Sequence, residues 1–212
     1  MDINDIIRSI TNYDYSELNK IAPPNNNLEA VIKQSLLNGV PSNTPTLINV
    51  SGIPGSGKST YCNKLLSQPE YKNYIFIGFD SIMENPLTPY KEQEAVDAIK
   101  AFSNWELPAR IAGYELLKRA IDNRYSIIFE HSSSIKQHIE LFKYLISQQG
   151  YYVDFIYLEI DIETAKERAA KRKRYLPTEY LTDRLTVLAE LLPEYQKICT
   201  TFKKLDPCQQ EL

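Results

Sequence analysis

Apolar residues recur along this chain in two periods, and the change from one to the other predicts its layout. Ile3, Ile6, Ile7 and Ile10 fall three or four apart, as do Leu28, Val31, Ile32 and Leu36, so two N-terminal helices each present one apolar stripe. Pro23-Pro24-Asn25-Asn26-Asn27 separates them, with Asn27 expected to cap the second, and Gly39-Val40-Pro41 ends it. From residue 46 the pattern changes to short runs that are apolar on both faces, at 46–50, 74–79, 125–129 and 151–160. Strands covered by helices on both sides read this way, and the helical segments between them predict an α/β domain around a mainly parallel sheet.

Residues 60–67 follow as a helix with Leu65 and Leu66 inward, and a long insertion after the second strand carries helices over 91–102 and 108–122. Past the fourth strand, residues 163–174 read as a strongly basic helix within a lid of 161–176, and a longer C-terminal helix runs from 178 to between 202 and 205. No fifth core strand stands out. The expected organisation is an N-terminal helical extension, residues 1–45, on a three-layer α/β/α domain, residues 46–212.

The link between the first strand and its helix carries the chemistry. Residues 51–60 read Ser-Gly-Ile-Pro-Gly-Ser-Gly-Lys-Ser-Thr, in which Gly52, Gly57, Lys58 and Ser59 satisfy the G-x-x-x-x-G-K-[ST] phosphate-binding loop. Its glycines let backbone N–H groups turn inward onto phosphate oxygens, and the following helix adds the positive end of its dipole. Gly52, Ile53, Pro54, Gly55, Ser56, Gly57, Lys58, Ser59 and Thr60 are therefore the expected nucleotide-binding set. Lys58 would reach the β- and γ-phosphates, and the Ser59 hydroxyl would take a place on Mg²⁺.

Ligands of open parallel sheets bind beyond the carboxyl ends of the strands, and two acids stand there. Asp80 follows the second strand and is expected as general base; Glu130 follows the third and is expected at the metal or the acceptor. The structural alternative for Asp80 is a helix cap. In the basic helix, Arg168 and Arg172 lie four apart on one face and suit a clamp on a polyphosphate, unless that face is merely solvated and balanced by Glu163 and Glu167. Arg184 is a further candidate. Arg110 and Ser132, with the serines after it, are expected to line an acceptor pocket. Trp105 and Tyr90 are either stacking platforms or buried packing; His131 reads as a satisfied loop residue and His138 as a surface one.

Bulk properties narrow the partners. The chain has 212 residues, 43% hydrophobic, and a net charge of −3, so nothing draws it as a whole to nucleic acid or an anionic membrane. It has no apolar run of membrane-spanning length and no secretory leader, so a cytoplasmic address is expected, in the producing cell or a recipient one. Three widely spaced cysteines, Cys62, Cys199 and Cys208, indicate neither disulfides nor a zinc site, and Cys62 is expected in packing. Neither Asn19-Lys20 nor Asn63-Lys64 is followed by the Asp of a guanine-reading motif, and neither acidic strand end reads Asp-Glu, which argues against a GTPase switch or a motor ATPase.

Together these parts, namely Gly-Ile-Pro-Gly-Ser-Gly-Lys-Ser-Thr, the strand ending at Asp80, residues 110–122 leading into Asn-Arg-Tyr-Ser-Ile-Ile-Phe-Glu130, and the arginine helix after the fourth strand, look like the zeta toxin family of P-loop kinases. The resemblance covers roughly residues 46–190. It implies a nucleotide-kinase-like fold, ATP and Mg²⁺ as cofactors, and phosphorylation of an acceptor hydroxyl, which in the best-known members is the 3′-hydroxyl of UDP-N-acetylglucosamine. By that resemblance Lys58 and Ser59 are the nucleotide and metal residues, Asp80 the catalytic base, Glu130 the second strand-end acid, and Arg168 or Arg172 the lid arginine. An antitoxin protein as partner comes from the same resemblance.

Two departures fall in the acceptor pocket. Where sugar-nucleotide kinases of this family tend to have Glu-Gly-Thr and a nearby arginine, this chain reads Glu130-His131-Ser132-Ser133-Ser134, and Ser-Ile-Met-Glu-Asn-Pro follows Asp80. The acceptor is therefore open between a sugar nucleotide and another nucleotide such as NAD. A polynucleotide or nucleotide kinase, and an inactive nucleotide-binding module, are the rival readings.

Overall fold

The computed structural model describes residues 2–171 and 179–207. Helix α1 (Ile3–Thr11) starts with a reciprocal cap, in which Asp2 accepts from the Asp5 N–H and Asp5 from the Asp2 N–H. Helices α2 (Leu18–Ile21) and α3 (Leu28–Ser35) complete the N-terminal segment. Asn27 holds the expected N-cap position of α3, where its carbonyl accepts from the Val31 N–H, but its side chain makes no cap hydrogen bond. Its backbone is left-handed, its amide donates to the Leu87 carbonyl at 2.8 Å, and the Leu28 N–H goes to Asn26 Oδ1.

The alternating part follows as β1 (Thr46–Ser51), α4 (Lys58–Leu66), β2 (Ile75–Gly78), α5 (Phe79–Met83), α6 (Tyr90–Val96), α7 (Ala98–Asp122), β3 (Ile127–Glu130), α8 (Gln137–Gln149), β4 (Tyr152–Leu158), α9 (Ile162–Ala170), α10 (Glu179–Ile198) and β5 (Thr201–Leu205). The strands pair in the order β2-β3-β1-β4-β5, every pair parallel, so the expected α/β architecture is met. Helix α8 spans the crossover from β3 to β4, a segment for which the sequence pattern names no element.

Elsewhere the boundaries differ. The C-terminal helix does not run to 202–205; it stops at Ile198, and Thr201–Leu205 is a fifth strand hydrogen-bonded to β4. The insertion breaks at Asp97 rather than before Pro108, because the Asp97 carboxylate accepts from the Lys100 N–H and caps α7. Pro108 sits buried inside that helix. The basic helix ends at Ala170, and residues 172–176 of the expected lid lie outside the described residues.

Side chains alternate between the two faces of the sheet. Leu47, Ile127, Phe129, Val153 and Phe155 enter the larger core with residues of α7, α8 and α10, whereas Ile48, Val50, Ile128, Ile156 and Leu158 pack on Cys62 and Leu65 of α4. The N-terminal helices join the larger core through Ile3, Ile6, Ile10, Leu28, Val31 and Ile32. A polar latch accompanies this packing. Arg119 of α7 donates two hydrogen bonds to Glu29 of α3, at 2.9 and 3.0 Å, and the Tyr15 hydroxyl donates to the same carboxylate. Chiefly through Arg119, the Glu29 carboxyl is held down at about 2. The pair is partly exposed, so apolar burial outweighs it as the force holding the extension.

Ile6, at 2% exposure, tests that ranking. Ile6→Ala is expected to cost about 2–5 kcal/mol in urea unfolding, in one cooperative transition. A loss below about 1 kcal/mol would mean that the extension unfolds separately from the sheet.

Candidate active site

Parallel register brings three strand ends level. Val50 of β1 stands opposite Glu130 of β3, and Glu130 opposite Gly78 of β2, so the segments leaving these strands emerge side by side. From β1 comes the glycine loop, from β2 Phe79-Asp80, and from β3 Glu130-His131.

The loop has the backbone that its glycines allow. Gly52 and Gly55 adopt φ of 149° and 88°. A Cβ on Gly52 would collide with Ser56 Oγ, and one on Gly55 would lie 2.5 Å from the Ala165 carbonyl oxygen of α9. Lys58 opens α4, and its Nζ donates to the carbonyls of Gly52 and Ile53 at 2.9 and 3.1 Å. Among the described residues the N-terminus of α4 has no side-chain cap, and the buried Ser56 hydroxyl next to it has no hydrogen-bond partner. A cradle closed to any Cβ, uncapped helix N–H groups and an orphan hydroxyl fit a phosphate group.

On the face of the sheet covered by α4, the Ser59 hydroxyl donates to Glu130 Oε1 at 2.6 Å. Two hard oxygen donors in contact suit Mg²⁺, which keeps several of its own waters. Among the described residues no group of three or more His, Cys, Asp or Glu converges as a metal site. Asp80 lies in the first turn of α5, half-buried, two residues beyond the Gly78 N-cap, so it is not the cap. Phe79 beside it is seated against Gly113 of α7, where a Cβ would meet the Phe79 ring.

The remaining predicted residues divide. Ala165 touches the loop, and Arg168, one turn further along α9, shares its side of the helix. Arg172 lies outside the described residues. Arg110 donates to both carboxylate oxygens of Glu106 one turn earlier, a partner that the sequence reading did not supply. Ser132 does not stand alone in a pocket wall: its hydroxyl is 2.9 Å from that of Ser134, which receives Nη1 of Arg184 at 3.1 Å. Trp105 and Tyr90 are fully buried against each other and serve as packing.

The structure corrects His138. It is fully buried, its Nε2 is 2.7 Å from the Tyr114 hydroxyl, and its ring centroid is 4.3 Å from that of His131. His131 stacks on Phe129, and its Nδ1 accepts from the Ser133 N–H at 2.8 Å. Burial, then His138, then the cations Arg184, Arg110 and Lys58 push the His131 pKa well down. Sequence reasoning also passed over Asn49, buried in β1, which donates to Ser133 Oγ at 2.9 Å. Its signal was a lone amide within an apolar strand. Cys62 is fully buried and its thiol is pushed up by burial, as befits packing.

A five-stranded parallel sheet with this loop at the end of β1 is the P-loop kinase fold. The family model described as Zeta toxin matches residues 31–210, and the chain belongs to that family. Among solved structures, one from the PezAT chromosomal toxin–antitoxin system of the human pathogen Streptococcus pneumoniae aligns over 99% of this chain and 83% of its own, with a TM-score of 0.67 at 15% identity. The AvrRxo1-ORF1:AvrRxo1-ORF2 complex with sulphate ions aligns over 84% of this chain and 61% of its own, with a TM-score of 0.60 at 11% identity. An AvrRxo1-ORF1:-ORF2 structure with ATP aligns over 78% and 58%, with a TM-score of 0.56 at 12% identity. No curated protein matches the sequence. Family and fold support a nucleotide-dependent, kinase-like function. No helix among the described residues is long and apolar enough to cross a membrane.

The buried histidines predict a pH dependence of stability. Burial, followed by Arg184, lowers His138 from 6.5 to about 3, so the unfolded chain binds the proton more readily. The neutral ring costs nothing above about pH 6.5, and stability falls as pH drops from there toward 3, by up to about 1.4 kcal/mol per unit. His138→Gln should flatten part of that slope in denaturant titrations from pH 7 to 4.5; an unchanged slope would place the proton elsewhere.

Proposed function

We propose that this protein is an ATP- and Mg²⁺-dependent kinase that phosphorylates a hydroxyl of a small-molecule acceptor, and that it acts in the cytoplasm of the producing or a recipient cell. The supporting observation is the Ser59–Glu130 contact beside the closed glycine cradle, which sets metal-type oxygen donors next to a phosphate-type seat. Bound ATP and Mg²⁺ would supply the phosphoryl group and neutralise charge on its oxygens. Backbone N–H groups between Gly52 and Thr60, Pro54 having none, would bind the polyphosphate, and Lys58, which donates to the Gly52 and Ile53 carbonyls, would turn to it. Ser59 and Glu130 would hold the metal. Asp80 orients the acceptor hydroxyl and takes its proton. Arg168, with Arg172, offsets charge that develops during transfer.

Glu130-His131-Ser132 in place of the sugar-nucleotide pattern keeps a second acceptor, a nucleotide of the NAD type, beside a sugar nucleotide such as UDP-N-acetylglucosamine. Arg110 and Ser132 remain the proposed acceptor contacts. One similar structure belongs to a toxin–antitoxin system, which supports an antitoxin protein as a partner.

Transfer of label from γ-³²P-ATP to a metabolite extract tests the reading. Asp80→Asn is expected to lower transfer at least 100-fold while magnesium–ATP affinity in calorimetry changes less than about threefold. Unchanged transfer in that variant would remove Asp80 from the role of base, and a wild type that binds magnesium–ATP but transfers no label would leave a nucleotide-binding module as the better account. Gly55→Ala, forced against the Ala165 carbonyl at φ 88°, should lose nucleotide binding at least tenfold; full retention would mean that the cradle is not the nucleotide seat.

A further inference from the structure

Helix α10 grips one short turn twice. Arg184 Nη1 donates to Ser134 Oγ at 3.1 Å, and further along the same helix the Tyr195 hydroxyl donates to the Ser133 carbonyl at 2.8 Å. From the sheet side, Asn49 donates to Ser133 Oγ and the Ser51 hydroxyl to the Ser132 carbonyl at 2.8 Å. Ser133 itself is left-handed, with φ 59°, and its N–H is held by His131. So many tethers on four residues make the turn a fixed reference point, directly after the strand-end Glu130.

Arg184 has its guanidinium anchored there by a hydroxyl. Ser134 is only 5% exposed and its Oγ is shared with Ser132 Oγ, so it is better placed to hold a neighbour than to receive a ligand. The turn that holds Arg184 is tied to both ends of the glycine loop, through Ser51 to the Ser132 carbonyl and through Ser59 to Glu130. An arginine held in place before its anion arrives loses less rotamer freedom on binding, and so binds more tightly than one left to swing.

We propose, resting on the kinase reading, that Ser134 is a positioning residue: its hydroxyl holds Arg184 at the end of β3, aimed at the terminal phosphate of a nucleotide seated in the glycine loop. The serine run after Glu130 thus serves the phosphate side of the site through Ser134, and not the acceptor side alone.

Calorimetry with magnesium–ADP and the magnesium complex of a non-hydrolysable imido analogue of ATP tests this without turnover. The series is wild type, Ser134→Ala, Ser134→Thr, Arg184→Ala and the double alanine variant, each checked for wild-type circular dichroism. Ser134→Ala and Arg184→Ala are each expected to weaken the triphosphate analogue about 5- to 20-fold and ADP by less than about twofold. Ser134→Thr, which keeps the hydroxyl, should stay near wild type, and the double variant should be no weaker than Arg184→Ala alone. Multiplying losses in the double variant, or equal losses for both nucleotides, overturn the proposal. A wild type that binds both nucleotides with the expected pattern but transfers no phosphate overturns the kinase reading alone; one that binds neither overturns both.

Discussion

The level register of β1, β3 and β2 is the constraint on which the site depends. Phe129 is fully buried in the larger core, so its neighbour Glu130 must face the other side of the sheet, where α4 begins and Ser59 waits. A slip of one residue in β3 would exchange the two, putting a carboxylate into the core and removing the metal-type pair. The hydrophobic demand of Phe129 therefore fixes the position of a polar group that packing itself has no use for. A Cβ on Gly78 would press the Phe76 ring at 3.0 Å and reach ordinary contact distance from the second Glu130 oxygen.

Beneath the strand ends lies a polar layer that is almost wholly dry. His131, His138, Asn49 and Ser133 are buried, and each is tied to a neighbour: Ser133 N–H to His131, Tyr114 to His138, Asn49 to Ser133. Burying such groups is tolerable only because they are bonded and the imidazoles stay neutral. His138 Nδ1 is the exception, buried without a hydrogen-bond partner among the described residues. Burial, His138 and the cations Arg184, Arg110 and Lys58 all disfavour a charged His131, so this ring adds no positive charge to the strand ends.

What could be read from the sequence follows from how local each constraint is. The glycine loop was legible because each of its residue types answers to its own backbone or to phosphate, within ten positions. Strands β1 to β4 were legible because burial on both faces leaves an apolar run. Strand β5 was not: it is an edge strand whose Lys203 and Lys204 face solvent, and only its pairing with β4, far away in sequence, makes it a strand. His138 was misjudged although the signal existed, since it falls three and four residues before Leu141 and Phe142, on the stripe that α8 buries. The break at Asp97 was hidden by Pro108, the stronger apparent punctuation. The Arg184–Ser134 contact joins residues fifty positions apart, and no local pattern announces such a pair.

Helix α7 connects the extension to the site. Near its end Arg119 meets Glu29 and Tyr15, and in its middle Gly113 admits Phe79, the residue before Asp80, while Tyr114 holds His138. With 25 residues it is about 37 Å long, so one rigid element touches the extension, the Asp80 turn and the histidine layer. The family match begins only inside α3, yet Ile3, Ile6, Ile10 and Leu18 belong to the same core as α7. Residues outside the family pattern thus help to hold the helix that backs the strand ends. Because that support is apolar burial rather than the half-exposed Glu29–Arg119 pair, salt should disturb it little, whereas one lost methyl group would be felt along the whole helix.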